Sequence, residues 1–187
     1  MKATRLLKED HRQILRALNV LEQMAGRAER GEILAETDAE DILAFFHAFA
    51  DRHHQGKEEA ILFPALLRDP DQRHYKQLRH MIFEHNQERS LAVGLEEAIR
   101  TKKTRDFVFC ACQLAERLRA HIEKEDRILF ELADSVLSPA EDEEIAAAME
   151  DFERQWQQRV LSGLLRRLDE LESEYTRGSR AGTTACH

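Results

Sequence analysis

Two segments of this chain repeat one ten-residue pattern, H-x-x-K-E-acid-x-I-L-F, which runs from His54 to Phe63 and again from His121 to Phe130. In both copies the histidine and the glutamate occupy positions at which the helical spacing of the surrounding apolar residues predicts another apolar residue. Positions i and i+4 of an α-helix lie on one face, so each copy directs an imidazole and a carboxylate toward the same neighbour. A chain with this repeat has to fold so that both polar pairs find partners in its interior.

Apolar residues recur at helical spacing through most of the chain and predict helices throughout. Glycine and proline are scarce, with 7 Gly and 3 Pro among 187 residues. We therefore expect an all-α fold, an up-down-up-down four-helix bundle with an additional C-terminal helix. The expected boundaries are one domain over residues 1–175, with the bundle at about 4–135, the extra helix at about 139–175 and a disordered tail at 176–187.

The expected inward face of helix two continues past Glu58 to Ile61 and Ala65. The equivalent face of helix four continues to Ile128 and Leu132.

Pro64 should end or kink the second helix. Asp69-Pro70-Asp71 is expected to form the next turn. Ser138-Pro139-Ala140-Glu141 is typical of a capping box and should begin the fifth helix.

A weaker repeat relates Asp10-His11 to Glu84-His85, and both histidines continue the apolar faces of their helices. Helices one and two therefore resemble helices three and four, each pair contributing H…H-x-x-x-E. Such a repeat predicts a pseudo-twofold bundle in which two half-sites meet near the axis. The candidate metal ligands are His11, His54, Glu58, His85, His121 and Glu125.

A buried glutamate costs several kcal/mol unless it is neutralised, and two facing glutamates require protons, basic partners or a metal. Four imidazoles and two carboxylates without thiolate suit iron, manganese or zinc. Six residues exceed the needs of one tetrahedral zinc and fit two ions bridged by Glu58 and Glu125. A hydrogen-bonded network without metal is the alternative, which the repetition on four helices disfavours.

Other histidines are expected on the surface. His80-Met-Ile-Phe-Glu84 also has the H-x-x-x-E spacing, but His80 lies about 140° around the helix from His85. We therefore interpret His80 and Glu84 as part of a solvated face, and extend this to His47, His53 and His74. Trp156 is expected to pack between the fifth helix and the bundle.

Charge and hydropathy exclude several classes of partner. The formal net charge is −8, which argues against nucleic acid and anionic membrane surfaces as partners. We find neither an apolar run long enough to cross a bilayer nor a signal-peptide segment. The expected location is the cytoplasm.

The motifs around the candidate ligands resemble those of the hemerythrin-like family, also called the HHE cation-binding domain. The matching elements, over about residues 4–135, are His11, His54 and Glu58 with the following Glu59-x-x-Leu-Phe-Pro64, His85 with Arg89, and His121 with Glu125. The resemblance implies a four-helix bundle with a non-haem di-iron centre.

Two departures separate this chain from the oxygen-carrying hemerythrins. Those proteins have a second histidine one turn from the third-helix ligand, where this chain has Met81 and Arg89. They also end in a longer His–Asp spacing, where this chain has Glu125. With one imidazole fewer and a possible extra bridging carboxylate, reversible oxygen carriage is less expected. The resemblance with these departures favours reaction with O2, peroxide or nitric oxide in stress protection, with an unknown electron donor. A non-catalytic iron or oxygen sensor and an oxygen store are the alternatives.

Overall fold

The computed structural model describes residues 1–68, 74–156 and 158–176, and every regular element in these ranges is helical. Within the same ranges no helix combines the length and the apolar character that crossing a membrane requires. The described helices are α1 (Lys2–Glu29), α2 (36–66), α3 (Tyr75–Arg100), α4 (104–136), α5 (Pro139–Gln155) and α6 (Gln158–Thr176).

The first four helices lie side by side around a common interior. Contacts join α1 to α2, α2 to α3, α3 to α4 and α4 back to α1, so that the four enclose one core. The core has two hydrophobic clusters. One is built around Leu18, Phe45 and Leu114, and the other around Leu7, Phe63 and Phe130. The buried histidines and glutamates lie between these clusters along the helices.

Both helices that carry the repeated motif change from α- to π-helical hydrogen bonding beside it. In α2 the π-helical segments are Phe46–Gln55 and Glu58–Leu62, and in α4 the segment is Glu125–Leu129. A π-helical turn holds an additional residue and therefore rotates the face that follows.

This rotation corrects the predicted inward faces beyond the motifs. Ile128 is 53% exposed, and Ile61, Ala65 and Leu132 are only partly buried. The residues one position later point inward instead: Leu62, Leu66, Leu129 and Ala133. The α-helical spacing used for the prediction does not hold across a π-helical turn.

The predicted fifth helix is two helices. α5 begins with the expected capping box, in which the Ser138 hydroxyl accepts from the Glu141 amide and the Glu141 carboxylate accepts from the Ser138 amide. It ends at Trp156, whose backbone is extended, and α6 then packs against α1 and α2. The predicted 69–71 turn lies outside the described residues, as does the predicted tail beyond residue 176.

A glycine in the first motif lets α5 lie against α2. A Cβ atom at Gly56 would be 3.1 Å from the Phe152 ring of α5. The second motif has Glu123 at the equivalent position. The absence of a Cβ atom at Gly56 therefore allows the close contact of α5 with the first motif.

We expect Gly56→Glu to lower the free energy of unfolding by about 1–3 kcal/mol, because the larger side chain overpacks the contact with Phe152. Gly163 in α6 is a matched control, since a Cβ atom there would meet nothing within 4 Å. Gly163→Glu should be neutral or stabilising, because glutamate favours helix more than glycine does. Urea denaturation measures both, and equal effects would contradict the proposed contact.

Candidate metal centre

The structure brings all six predicted ligands together in two overlapping sets. His11, His54, Glu58 and Glu125 form one set, and Glu58, His85, His121 and Glu125 form the other. Within each set the potential ligand atoms lie within 4.8 Å of one another, and every residue is buried. The two glutamates belong to both sets, as expected of carboxylates that bridge two ions.

The four imidazoles direct Nε2 toward the shared glutamates. Nε2 lies 3.2 Å from Glu125 in His11 and 3.1 Å from Glu125 in His121. For His54 and His85 the distance to Glu58 is 3.6 Å and 3.5 Å. Within each set the two rings meet edge to face, with centroids 4.6 Å and 4.7 Å apart. The two half-sites therefore have similar ligand arrangements, although in the second one Nε2 of His85 and Nε2 of His121 are only 3.0 Å apart.

Each imidazole also has a carboxylate at its other nitrogen. The distances from Nδ1 are 3.0 Å for His11 to Asp126, 3.3 Å for His54 to Asp10, 2.6 Å for His85 to Glu59 and 2.9 Å for His121 to Glu84. An ionised carboxylate only accepts, so Nδ1 carries the hydrogen and a neutral ring keeps its lone pair at Nε2. Metal-binding histidines are commonly oriented in this way.

These contacts account for the remaining residues of the repeat. Each motif lysine pairs with the acid that stands directly before the single histidine of the same half. Lys57 lies 2.7 Å from Asp10, and Lys124 contacts Glu84. The motif phenylalanines cover histidines of the other half-site, Phe63 stacking on His85 and Phe130 on His11. Each copy of the repeat thus builds part of both half-sites.

Glu58 and Glu125 are both fully buried. Two ionised carboxylates would therefore repel each other where water cannot screen them. Burial and the neighbouring Glu125 carboxylate raise the pKa of Glu58 well above its ordinary value. Burial acts in the same direction on Glu125, but the imidazoles of His121 and His11 more than offset it and hold the pKa of Glu125 low. Without a cation between them, one carboxyl keeps a proton so that the other can ionise.

Burial also affects the protonation state of the imidazoles. It lowers the pKa of His54 to about 4 and lowers the pKa of His85. At neutral pH both are therefore neutral, the form in which histidine binds metals. In His11 and His121 burial is outweighed by hydrogen bonds and charge from carboxylates, which raise the pKa of both rings. Metal binding at these two would displace protons.

The residues present fit a pair of metal ions. Buried atoms without a hydrogen-bond partner include His11 Nε2 and both oxygens of Glu58 and of Glu125. Beside the facing glutamates stand the four orienting carboxylates. Among the described lysines and arginines, Lys57, Lys124 and Arg89 pair with three of these carboxylates. With neutral imidazoles the centre has excess negative charge, which metal cations would offset.

The structure corrects two of the predicted surface residues and agrees with a third. His80 is exposed, but Glu84 is not a solvated residue, since it accepts from His121 and Lys124. Partial burial acts to raise the pKa of Glu84, yet these hydrogen bonds lower it to about 2. His53 is also buried, with Nε2 3.8 Å from Asp10 and the ring against Trp156.

Sequence reasoning missed the four orienting acids as a group, although the repeat contained the signal for them. The acid that follows each motif glutamate, Glu59 or Asp126, orients a histidine of the other half-site. The acid before each single histidine, Asp10 or Glu84, orients the motif histidine of its own half. The positions at which both halves of the repeat have an acid are therefore the positions whose carboxylates contact imidazole Nδ1.

The sequence analysis also missed a buried carboxyl beside the centre. Glu88 is buried and accepts a hydrogen bond of 2.6 Å from the Gln55 amide. Its Oε1 has no partner and lies 3.9 Å from His121 Nδ1. Burial raises the pKa of Glu88 to about 7. Glu88 lies three residues after His85, a spacing that places it on the inward face of α3.

We expect Glu58→Gln to stabilise the metal-free protein at neutral pH. A carboxyl whose folded pKa is raised costs stability above its unfolded pKa, about 4.5, because the unfolded chain ionises first. The gain should begin near the unfolded pKa and grow as the pH rises toward the raised folded pKa, each pKa unit being worth about 1.4 kcal/mol. Urea unfolding after chelator treatment measures it, with Glu123→Gln as the exposed control; a pH-independent difference would contradict the interpretation.

Asp126→Asn tests the role of the orienting acids. Loss of the carboxylate at His11 Nδ1 should weaken metal binding about 10–100-fold, because the ring becomes less basic and less well oriented. Competition with a chromophoric chelator measures the affinity. Asp106→Asn is the matched control, since Asp106 is 58% exposed and pairs only loosely with Lys103. Unchanged affinity in Asp126→Asn would show that this contact has no such role.

Comparison with known proteins agrees with this geometry. The family model described as the hemerythrin HHE cation-binding domain matches residues 2–133. Among proteins of curated function and among solved structures, none matches the chain. The matched segment covers more than half of the chain and contains all six residues of the two sets. The chain therefore belongs to the hemerythrin HHE cation-binding domain family.

Proposed function

We propose that this protein binds two iron ions bridged by Glu58 and Glu125, and that it reacts with small oxidants in oxidative or nitrosative stress. The proposed fold is an up-down-up-down four-helix bundle with additional C-terminal helices. The observation that carries the proposal is the direction of four imidazole Nε2 atoms toward two fully buried carboxylates that lack other partners.

The donor set favours iron over its alternatives. Nitrogen and carboxylate oxygen suit iron, manganese and zinc, but the shared glutamates fit two ions better than one tetrahedral zinc. Each set offers two imidazoles and two carboxylates, which leaves about two of six positions open on an octahedral ion. Bound iron would supply one-electron redox chemistry toward O2, peroxide or nitric oxide.

The chain's own residues prepare the site for such chemistry. Phe63 and Phe130 stack on imidazoles, and the flanking hydrophobic clusters exclude water from the centre. The orienting acids hold the rings in place and fix their tautomers. A separate electron donor is part of the proposal, since repeated turnover of an oxidant consumes electrons.

Reversible oxygen carriage is less well supported. The positions one turn before and after His85 carry no imidazole: Met81 is buried among apolar residues, and Arg89 donates to Asp51 and Glu59. Arg89 thereby holds the acid that orients His85. This side of the site is built to position a carboxylate rather than to add a nitrogen ligand.

Oxidant turnover tests the proposal. We expect the iron-loaded protein to consume at least one of hydrogen peroxide, O2 with a chemical reductant, or nitric oxide. His54→Ala should lose iron and turnover together, because it removes one of two imidazoles from an ion. His47→Ala is the matched control and should retain both, since His47 is 31% exposed and pairs with the exposed Glu96, 3.8 Å away, rather than with a residue of the centre.

Each other outcome identifies a different function. Iron binding without turnover, together with a melting temperature or oligomeric state that changes on iron removal, would support sensing. Reversible O2 binding without consumption would support storage. Equal turnover by wild type and His54→Ala would contradict the assignment of the centre.

A further inference from the structure

The two half-sites have similar ligand arrangements but different outer surroundings. Aligning His11 with His85 and His54 with His121 gives the equivalent position for each residue. Beyond the first half-site, Lys57 is fully buried and lies 2.8 Å from Glu153 of α5. His53, packed against Trp156, fills the space beside it. On this side α5 separates the centre from solvent.

The equivalent side of the second half-site opens into a cleft. Between α3 and α4 lies a cavity of about 270 Å³, whose walls include Glu84, Glu88, Glu116, Arg117, Ala120 and Lys124. Ala120 takes the place of His53, so no ring fills the space there. Lys124, the equivalent of the fully buried Lys57, is 34% exposed.

Two of the carboxylates that line the cleft have apolar equivalents in the first half-site. Glu88 corresponds to Ile14 and Glu116 to Phe49, and both apolar residues are buried in the hydrophobic core. Carboxylates at these two positions are therefore specific to the open half-site. Of the cleft's basic residues, Lys124 is engaged by Glu84, and Arg117 donates to Gln87.

Glu88 connects the cleft with the interior. It lines the cleft and also a second, smaller pocket of about 20 Å³, which Gln55 and Leu118 line as well. It is only 4% exposed, and its Oε1 is buried without a hydrogen-bond partner. A buried carboxylate oxygen with no partner is costly unless it meets a cation or a donor at some stage.

We propose that the cleft between α3 and α4 is the route by which divalent metal ions enter the centre, with Glu88 as the inner transfer residue. The proposal rests on the proposed metal centre. Glu116 lies at the exposed part of the route, and Glu88 lies at its buried end beside His121. The half-site of His85 and His121 is then loaded from solvent directly, whereas α5 closes the other half-site.

The rate of Co(II) uptake tests this route, because Co(II) bound by nitrogen and oxygen ligands absorbs visible light. The full chain, stripped of metal, is mixed with Co(II) in a stopped-flow instrument. We expect Glu88→Gln to slow uptake about tenfold, the size of effect that focused charge has on association rates. The final amount of bound Co(II) and its dissociation constants should not change. Glutamine retains an acceptor for the Gln55 amide.

A second variant tests the route by steric means. Ala120→Phe fills the cleft from its exposed wall and should also slow uptake, again without a change at equilibrium. Glu123→Gln on α4 is the charge control, since Glu123 is 65% exposed in a surface pair with Arg127. Ala148→Phe, at an exposed position on α5, is the steric control over the closed side. Both controls should take up Co(II) at the wild-type rate.

Three results would overturn the proposal. Wild-type rates in both Glu88→Gln and Ala120→Phe would exclude the cleft as the route while leaving the centre intact. Weaker equilibrium binding by Glu88→Gln would make Glu88 a resident ligand rather than a transfer residue. Absence of Co(II) uptake by the wild-type chain would overturn the route together with the centre itself.

Discussion

The facing carboxylates of Glu58 and Glu125 are the constraint on which the rest of the structure depends. Both are fully buried, and neither has a hydrogen-bond partner among the described residues. Two such charges cannot share a dry interior unless cations or protons stand between them. The surrounding residues meet this requirement in successive layers. Imidazoles face the carboxylates, acids orient the imidazoles, and two lysines and an arginine pair with three of those four acids.

The repeat makes the inner layers of the two half-sites symmetrical. The residues outside these layers differ between the two half-sites. Each ligand, each orienting acid and each motif lysine of one half-site has an equivalent in the other, and so has the phenylalanine stacked on a histidine. The outer layer differs because Gly56 lets α5 lie close to α2, whereas Glu123 occupies the equivalent position on α4. One half-site is consequently covered by a helix, and the other borders a cleft. Equivalent ligands can in this way have different access to solvent.

Much of the candidate site could be predicted from the sequence, because helical spacing alone relates a ligand to its neighbours on one face. All six predicted ligands lie together for that reason. The π-helical turns could not be read from an α-helical pattern, and so the inward residues beyond each motif were displaced by one position, from Ile128 to Leu129 for example. The burial of His53 depends on α5, whose position in space no local pattern specifies. Glu84 was misjudged because its partner, His121, belongs to another helix.

The central claim is that the six residues hold two iron ions. A crystal structure of the iron-loaded protein, with anomalous scattering measured on both sides of the iron absorption edge, tests it most directly. We expect two iron peaks per chain, one beside His11 and His54, the other beside His85 and His121, with Glu58 and Glu125 between them. A single peak, a peak that does not respond at the iron edge, or iron bound by other residues would contradict it.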